Sequence, residues 1–223
     1  MLDYFINFGN DWTCNIKVKI MFSKETLNNK KILIYGLGIS GKSCFKYLSK
    51  KNTTTVFDDN NYLRNKENRK FFLNSKKVSN YNFDYIVLSP GIDIKKCKLK
   101  NYIRKNKKKI ITELDIFYLF HPNNIKITIT GTNGKSTTCQ ILYNIFKSNN
   151  SDVRLVGNIG KPPLLESRIK KETIFIIEAS SYQISYSKFF KSDYAAILNL
   201  SPDHLERHGN INEYAKAKLK LIL

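Results

Sequence analysis

The run Thr130-Gly131-Thr132-Asn133-Gly134-Lys135-Ser136-Thr137-Thr138 sets glycines, hydroxyls and one lysine between a strand-like and a helix-like stretch. The chemistry this suits is phosphate binding. Successive backbone N–H groups and the positive end of a helix cradle the anion, Lys135 neutralises its outer charge, and the Ser136 hydroxyl can reach Mg²⁺. The usual spacing G-x-x-x-x-G-K-[ST] would place glycine at position 129, where Ile129 stands; Gly131 lies three residues before Gly134 instead.

A second glycine loop, Gly36-Leu37-Gly38-Ile39-Ser40-Gly41, also follows a strand-like run and precedes a helix, and Asp58 ends the next strand. Glycines there let the backbone approach a diphosphate, and the acid can accept from a ribose or base, with NAD the default ligand of such a loop. Ser89-Pro90-Gly91-Ile92 closes the strand Tyr85 to Leu88 and would face the same cleft, although Pro-Gly also makes an ordinary turn. Glu178, at the end of a buried strand, is a hard oxygen ligand suited to Mg²⁺ beside Ser136, and a glutamate before Ser-Ser equally suits a cap. His204 follows Pro202-Asp203 in a loop, and Lys218 is one lysine among several on a basic helix.

These residues need a scaffold, and the pattern supplies one. Strands are expected at Lys31 to Tyr35, Thr54 to Phe57, Tyr85 to Leu88 and Ile110-Ile111, with helices at Gly41 to Ser49 and Leu114 to Phe120. After a linker at His121-Pro122-Asn123-Asn124, a second series opens with strand Ile125 to Thr130 and helix Lys135 to Ser148. Strands Val153 to Val156, Ile174 to Ile177 and Ala195 to Leu198 follow, and a helix from Asn212 is expected to run to Leu223 with Lys216, Lys218 and Lys220 over its surface. The fold class is therefore α/β: a Rossmann-like parallel-sheet domain at 29–121, then a P-loop ATPase domain at 122–223, preceded by a lead-in at 1–28. Met21 stands just ahead of that lead-in's last segment and is an expected translation start.

Composition fits a globular chain, with 42% hydrophobic and 25% charged residues in 223. The net charge of +20 raises the question of nucleic acid, but lysines outnumber arginines 32 to 6 and Asn is abundant, the joint signature of an AT-rich genome. Lys95 to Lys109 is then a solvated basic face, and no nucleic-acid partner is expected. Lys, Asn or Asp interrupts every apolar run, and the first twenty residues lack the form of an export signal, so neither membrane insertion nor secretion is expected. Cys14, Cys44, Cys97 and Cys139 stand apart, as reduced thiols of a cytoplasmic protein would.

The run Gly-Thr-Asn-Gly-Lys-Ser resembles the ATP loop of the Mur ligases and of their relative folylpolyglutamate synthase. The resemblance extends to the Gly36 loop, Ser89-Pro90-Gly91, Gly157-Asn158-Ile159-Gly160, Glu178-Ala179-Ser180-Ser181-Tyr182-Gln183, Asn199-Leu200-Ser201-Pro202-Asp203-His204 and Lys218, in order from Lys31 to Leu223. Asn133 where another branch has His, and Ser136 after Gly-Lys, make the pattern most similar to the D-glutamate-adding branch.

That resemblance implies ATP-driven phosphorylation of the terminal carboxylate of UDP-N-acetylmuramoyl-L-alanine and attack by D-glutamate on the acyl phosphate, in a monomer. It implies that Gly131, Thr132, Asn133, Gly134, Lys135, Ser136 and Thr137 bind ATP, and that Ser136, Glu178, His204 and Lys218 serve the Mg²⁺ ions, Lys218 as a carbamate. Lys135, Glu178, His204 and Lys218 form the implied catalytic set. Gly38, Ile39 and Ser40 would meet the diphosphate, Asp58 the uracil, Ser89, Pro90 and Gly91 the far side of the cleft, and Asn158 both substrate and ATP phosphates. Asn60 stands in the region where an arginine often holds the uracil ring, which leaves that contact to another basic residue. The family continues well past these motifs, so the chain reads as truncated and, alone, is expected to bind nucleotide weakly and make no amide. Another Mur ligase, a folylpolyglutamate synthase-like enzyme and a non-catalytic nucleotide-binding fragment are the alternatives.

Overall fold

The computed structural model describes residues 25–60 and 69–222, so the expected start at Met21 and most of the lead-in lie outside the described residues. Four strands, β1 (Lys31–Tyr35), β2 (Thr53–Phe57), β3 (Tyr85–Leu88) and β4 (Ile110–Ile111), form a first sheet in the order β2-β1-β3-β4. Four more, β5 (Lys126–Thr130), β6 (Val153–Gly157), β7 (Ile174–Glu178) and β8 (Tyr194–Ile197), form a second in the order β6-β7-β5-β8. Every pairing in both is parallel. The expected α/β class with two successive parallel sheets is what the chain adopts.

The sequence shows why. In β1, Ile32, Leu33, Ile34 and Tyr35 are all inaccessible to solvent, the continuous burial of a central parallel strand covered on both faces. Helix α1 (Ile39–Leu48) returns the chain over the sheet by burying Gly41, Ser43, Cys44 and Leu48. In both sheets the loop after the central strand comes to the carboxyl edge and runs straight into a helix, the arrangement that presents backbone N–H groups to a ligand.

Between β2 and β4 the structure adds α2 (Ser75–Ser79), capped by Asn74, and α3 (Lys100–Lys105). The basic run is amphipathic: Cys97, Leu99 and Ile103 are buried while the lysines around them face water. Helix α4 (Glu113–Phe120) opens with a capping box in which Thr112 and Asp115 exchange hydrogen bonds, holding its first turn. It also joins the two units. The Phe117 ring meets Phe175 of β7 edge-on at 4.8 Å, and one buried cluster contains Ile32, Ile34 and Val87 of the first sheet with Val156, Phe175 and Ile177 of the second.

The second unit continues with α5 (Lys135–Ser148), α6 (Ser181–Tyr186), α7 (Leu205–His208) and α8 (Ile211–Leu219). Two expectations are corrected here. Helix α8 ends at Leu219 rather than continuing to the last residue, and Lys218 is not on its surface: only 1% of it is exposed, because that face of the helix packs toward the glycine loop. Among the described residues no helix is long and apolar enough to cross a membrane.

Candidate functional site

The loop between β5 and α5 is held from three sides. Gly134 caps the helix in a left-handed conformation, φ +81°, which a side chain would strain. The amide of Asn199 reads the loop backbone: its Oδ1 accepts from Thr132 N at 3.1 Å and Asn133 N at 2.9 Å, and its Nδ2 donates to Asn133 O at 3.1 Å. The Thr132 hydroxyl pairs with Tyr214 Oη of α8 at 3.1 Å and accepts from Ser201 N at 3.0 Å. Lys135 folds over the same loop, its Nζ donating to Gly131 O at 2.9 Å and Thr132 O at 2.6 Å.

Beneath the loop, Glu178 ends β7 with 1% of its surface exposed. Ser136 Oγ donates to its Oε2 at 2.7 Å and Asn158 Nδ2 to its Oε1 at 2.8 Å, so two residues singled out in the sequence converge on the carboxylate of a third. Gly157, which precedes Asn158, is required by shape: a Cβ there would lie 2.2 Å from the Glu178 carbonyl oxygen. A buried carboxylate flanked by a hydroxyl on the first turn of the loop helix is a donor set suited to Mg²⁺, which takes one or two carboxylates and completes its shell from phosphates and water.

Lys218 reaches the loop from α8. Its Nζ donates to Gly131 O at 2.8 Å and Thr130 Oγ1 at 3.3 Å and lies 4.7 Å from the Tyr214 ring centre. Burial, with help from the nearby Lys135 charge and against the pull of Asp203, brings its pKa down to about 8. His204 stands apart from Glu178 in bonding. It is a half-exposed residue at φ +54° that caps α7, lies 3.4 Å from Asp203 and 3.9 Å from Glu206, and packs its ring 4.8 Å from Tyr182. Among the described residues no group of three or more His, Cys, Asp or Glu side chains gathers as a metal site.

In the first unit, close packing explains the outer glycines of the loop and leaves the middle one free. A Cβ on Gly41 would sit 1.7 Å from the Gly36 carbonyl oxygen, and one on Gly36 would lie 2.7 Å from Ser89 Cβ, whereas Gly38 and Gly91 meet nothing within 4 Å. The Ser89 hydroxyl donates to Gly36 O at 2.7 Å, bringing the Ser-Pro-Gly turn against the loop as expected. The structure gives two side chains more internal work than the sequence suggested. Asp58 Oδ2 accepts from Leu37 N at 2.6 Å and Oδ1 from Asn60 N at 2.7 Å, so the carboxylate shapes the loop. Ser40 turns its Oγ inward to Glu113 Oε2, and Ser43 donates to Oε1 at 2.6 Å, which leaves the backbone N–H groups of the α1 start as the outward donors.

Glu113 and Asn199 therefore join the site residues. Asn199 lay within a motif already singled out, and its Asn-x-Ser-Pro setting marks a loop residue able to bond backbone. Glu113 carried only a weak signal, the capping pattern Thr112-x-x-Asp115 around it; burial raises its carboxyl pKa against the lowering effect of both serines.

Residues 30–112 match the model of the N-terminal domain of MurD-like Mur ligases, and residues 129–223 that of the Mur ligase middle domain. Proteins named UDP-N-acetylmuramoylalanine–D-glutamate ligase are similar to the chain: 36% identity in Rickettsia felis over 86% of this chain and 43% of that protein, and 34% in Clostridioides difficile over 88% and 46%. The chain thus spans under half the length of these curated relatives. A Neisseria structure of UDP-N-acetylmuramate:L-alanyl-gamma-D-glutamyl-meso-diaminopimelate ligase shares the fold at a TM-score of 0.54 and 13% identity, over 87% of this chain and 68% of the other. With a MurD-like N-terminal domain followed by a Mur ligase middle domain, the chain belongs to the Mur ligase family.

Proposed function

We propose that the chain serves a cytoplasmic, monomeric enzyme that adds D-glutamate to UDP-N-acetylmuramoyl-L-alanine with ATP and Mg²⁺, in peptidoglycan precursor synthesis. The domains would be 29–121 for the UDP-sugar and 122–223 for ATP. The observation that carries the reading is the convergence of Ser136 and Asn158 on buried Glu178, beside the glycine loop that precedes α5.

The chemical difficulty is to bring a carboxylate against a triphosphate, two anions that repel. Backbone N–H groups of residues 134–137, the positive end of α5 and the Lys135 ammonium offer the fixed positive potential that lowers that repulsion. Bound Mg²⁺ would add charge neutralisation on the phosphates, with Ser136 and Glu178 as its protein ligands and His204 with Lys218 as candidates for a second ion. Asn158 can orient the substrate carboxylate through its amide while remaining tied to Glu178. The carboxylate oxygen attacks the outermost phosphorus, ADP departs, and the amine of D-glutamate displaces phosphate from the acyl phosphate as the amide forms.

The lowered pKa of Lys218 supports a further part of the reading, its conversion to a carbamate. Only a neutral amine has the lone pair to bond to the carbon of CO₂, releasing a proton and leaving an anionic oxygen donor. The first domain would hold the diphosphate on the N–H groups after Gly38 and the peptide end toward Ser89, Pro90 and Gly91.

Calorimetric titration with UDP-N-acetylmuramoyl-L-alanine, with NAD and ATP–Mg²⁺ as comparators, tests the assignment. Saturable binding of the UDP-sugar that Gly38→Val abolishes is the expected result. Binding of NAD in its place would overturn the substrate assignment.

A further inference from the structure

Between the two ligand-facing loops lies a reciprocal pair of contacts that the functional reading does not use. Arg207 Nη2, on α7 of the second unit, donates to Ile92 O of the first at 2.6 Å, and Lys95 Nζ of the first donates back to Arg207 O at 3.1 Å. The arginine is built in. Its guanidinium lies 4.0 Å from the Tyr182 ring centre and 5.5 Å from that of Tyr186, and Nη2 also reaches Tyr186 Oη at 3.4 Å. A planar cation braced by two rings holds its direction as a lysine ammonium cannot.

The position of the clasp is what gives it consequence. Ile92 follows Ser89-Pro90-Gly91, whose serine is bonded to the first glycine loop. Arg207 lies three residues after His204, in the short helix that His204 caps, and its other face packs on Tyr182 of α6. Any displacement of the turn on ligand binding therefore pulls on α7 and the His204 loop, and the reverse holds equally. Asp115 makes a further inter-unit tie of another kind, bonding residues 187–190 from a fully buried position.

We propose that Arg207 is a positioning residue that couples the two half-sites, so that nucleotide-sugar bound in the first unit changes the affinity of the second for ATP–Mg²⁺. The inference rests on the functional reading above for the identity of the two ligands. Coupling of this kind is a free energy shared by both sites and must appear in either order of addition.

The test is calorimetric titration of the chain with UDP-N-acetylmuramoyl-L-alanine, with and without a saturating non-hydrolysable ATP analogue and Mg²⁺, in the wild type, Arg207→Gln and Arg207→Lys. In the wild type the second ligand is expected to shift the Kd of the first by about 5-fold or more. Arg207→Gln should cut that shift at least about threefold while each Kd measured alone stays within about twofold of wild type. Arg207→Lys keeps the charge and should fail to restore the shift. Lys95→Met breaks the other half of the clasp from an exposed position and should weaken the shift as well, which keeps the idea testable if the arginine variants do not fold. Two wild-type ligands that bind without influencing each other, or a shift unchanged in the variants, would overturn the coupling alone. Failure of the wild type to bind in the single-ligand titrations would remove the functional reading and the coupling with it.

Discussion

Asn158 Nδ2 and Ser136 Oγ hold opposite oxygens of the Glu178 carboxylate, at 2.8 and 2.7 Å, so the loop after β6 and the helix after the glycine loop are fastened to the end of one buried strand. Replacing Glu178 with Gln preserves the volume but exchanges one acceptor for a donor and removes the negative charge. ATP affinity in the presence of Mg²⁺ should fall on the order of 10-fold or more, while affinity with the metal chelated should change little. Titrations with and without Mg²⁺ measure the difference directly. An unchanged Mg²⁺ dependence in the variant would remove Glu178 from the proposed metal site.

Gly38 and Gly41 occur in one loop but should respond oppositely to a methyl group. At Gly41 the added Cβ would overlap the Gly36 carbonyl, so Gly41→Ala should destabilise the fold by about 2 kcal/mol or more. At Gly38 the Cβ enters open space at an unstrained φ of −64°, so Gly38→Ala should melt as the wild type does and weaken only nucleotide-sugar binding. Thermal melts paired with titrations separate the two. Equal melting temperatures for both variants would contradict the packing argument.

The contrast between these glycines also marks what the sequence could reveal. Strand-glycine-helix punctuation is a local signal, so both loops, both sheets and the central strands were legible from periodicity and turn residues. Glu178 and Ser136 were visible as residue types at element ends and Asn158 only through the resemblance, and their convergence depends on the order β6-β7-β5, which brings Gly157 beside Glu178 through a pairing no local pattern specifies. Lys218 was misplaced on the surface because, in a chain with 32 lysines, charge no longer reports exposure. The inward turn of Ser40 was illegible for a related reason: its partner Glu113 lies 73 positions away, on a helix whose packing against α1 only the assembled fold provides.

Asp115 is the clearest stability element outside the ligand loops. One oxygen caps its own helix, and the other accepts from Ser187 Oγ and from the backbone N–H groups of Lys188, Phe189 and Phe190. Asp115→Ala would leave those donors without their acceptor at a position that is itself fully buried, at a cost on the order of 2 kcal/mol or more. Asp115→Asn can satisfy some of them and should cost less. Urea unfolding of both variants measures this, and an alanine variant as stable as the wild type would show that the segment 187–190 finds other partners.

Lys218 yields a pH dependence with a definite sign. Its pKa in the folded chain, about 8, lies below the ordinary 10.5, so between these values the unfolded chain carries a proton that the folded chain lacks. The stability contribution of this group therefore rises as pH increases from about 8 toward 10.5, and below about 8 the cost of burying the ammonium is fully present. Denaturation midpoints of wild type and Lys218→Met across that range isolate the effect from the other lysines, and the difference between them should vary with pH. The same deprotonation would control the proposed carbamate formation. With isotope-labelled bicarbonate, incorporation at Lys218 should increase as pH rises through about 8 and be absent in Lys218→Met. Incorporation spread evenly over the surface lysines, with none at this position, would mean that Gly131 O and Thr130 Oγ1 hold the amine as a permanent cation of the phosphate loop instead.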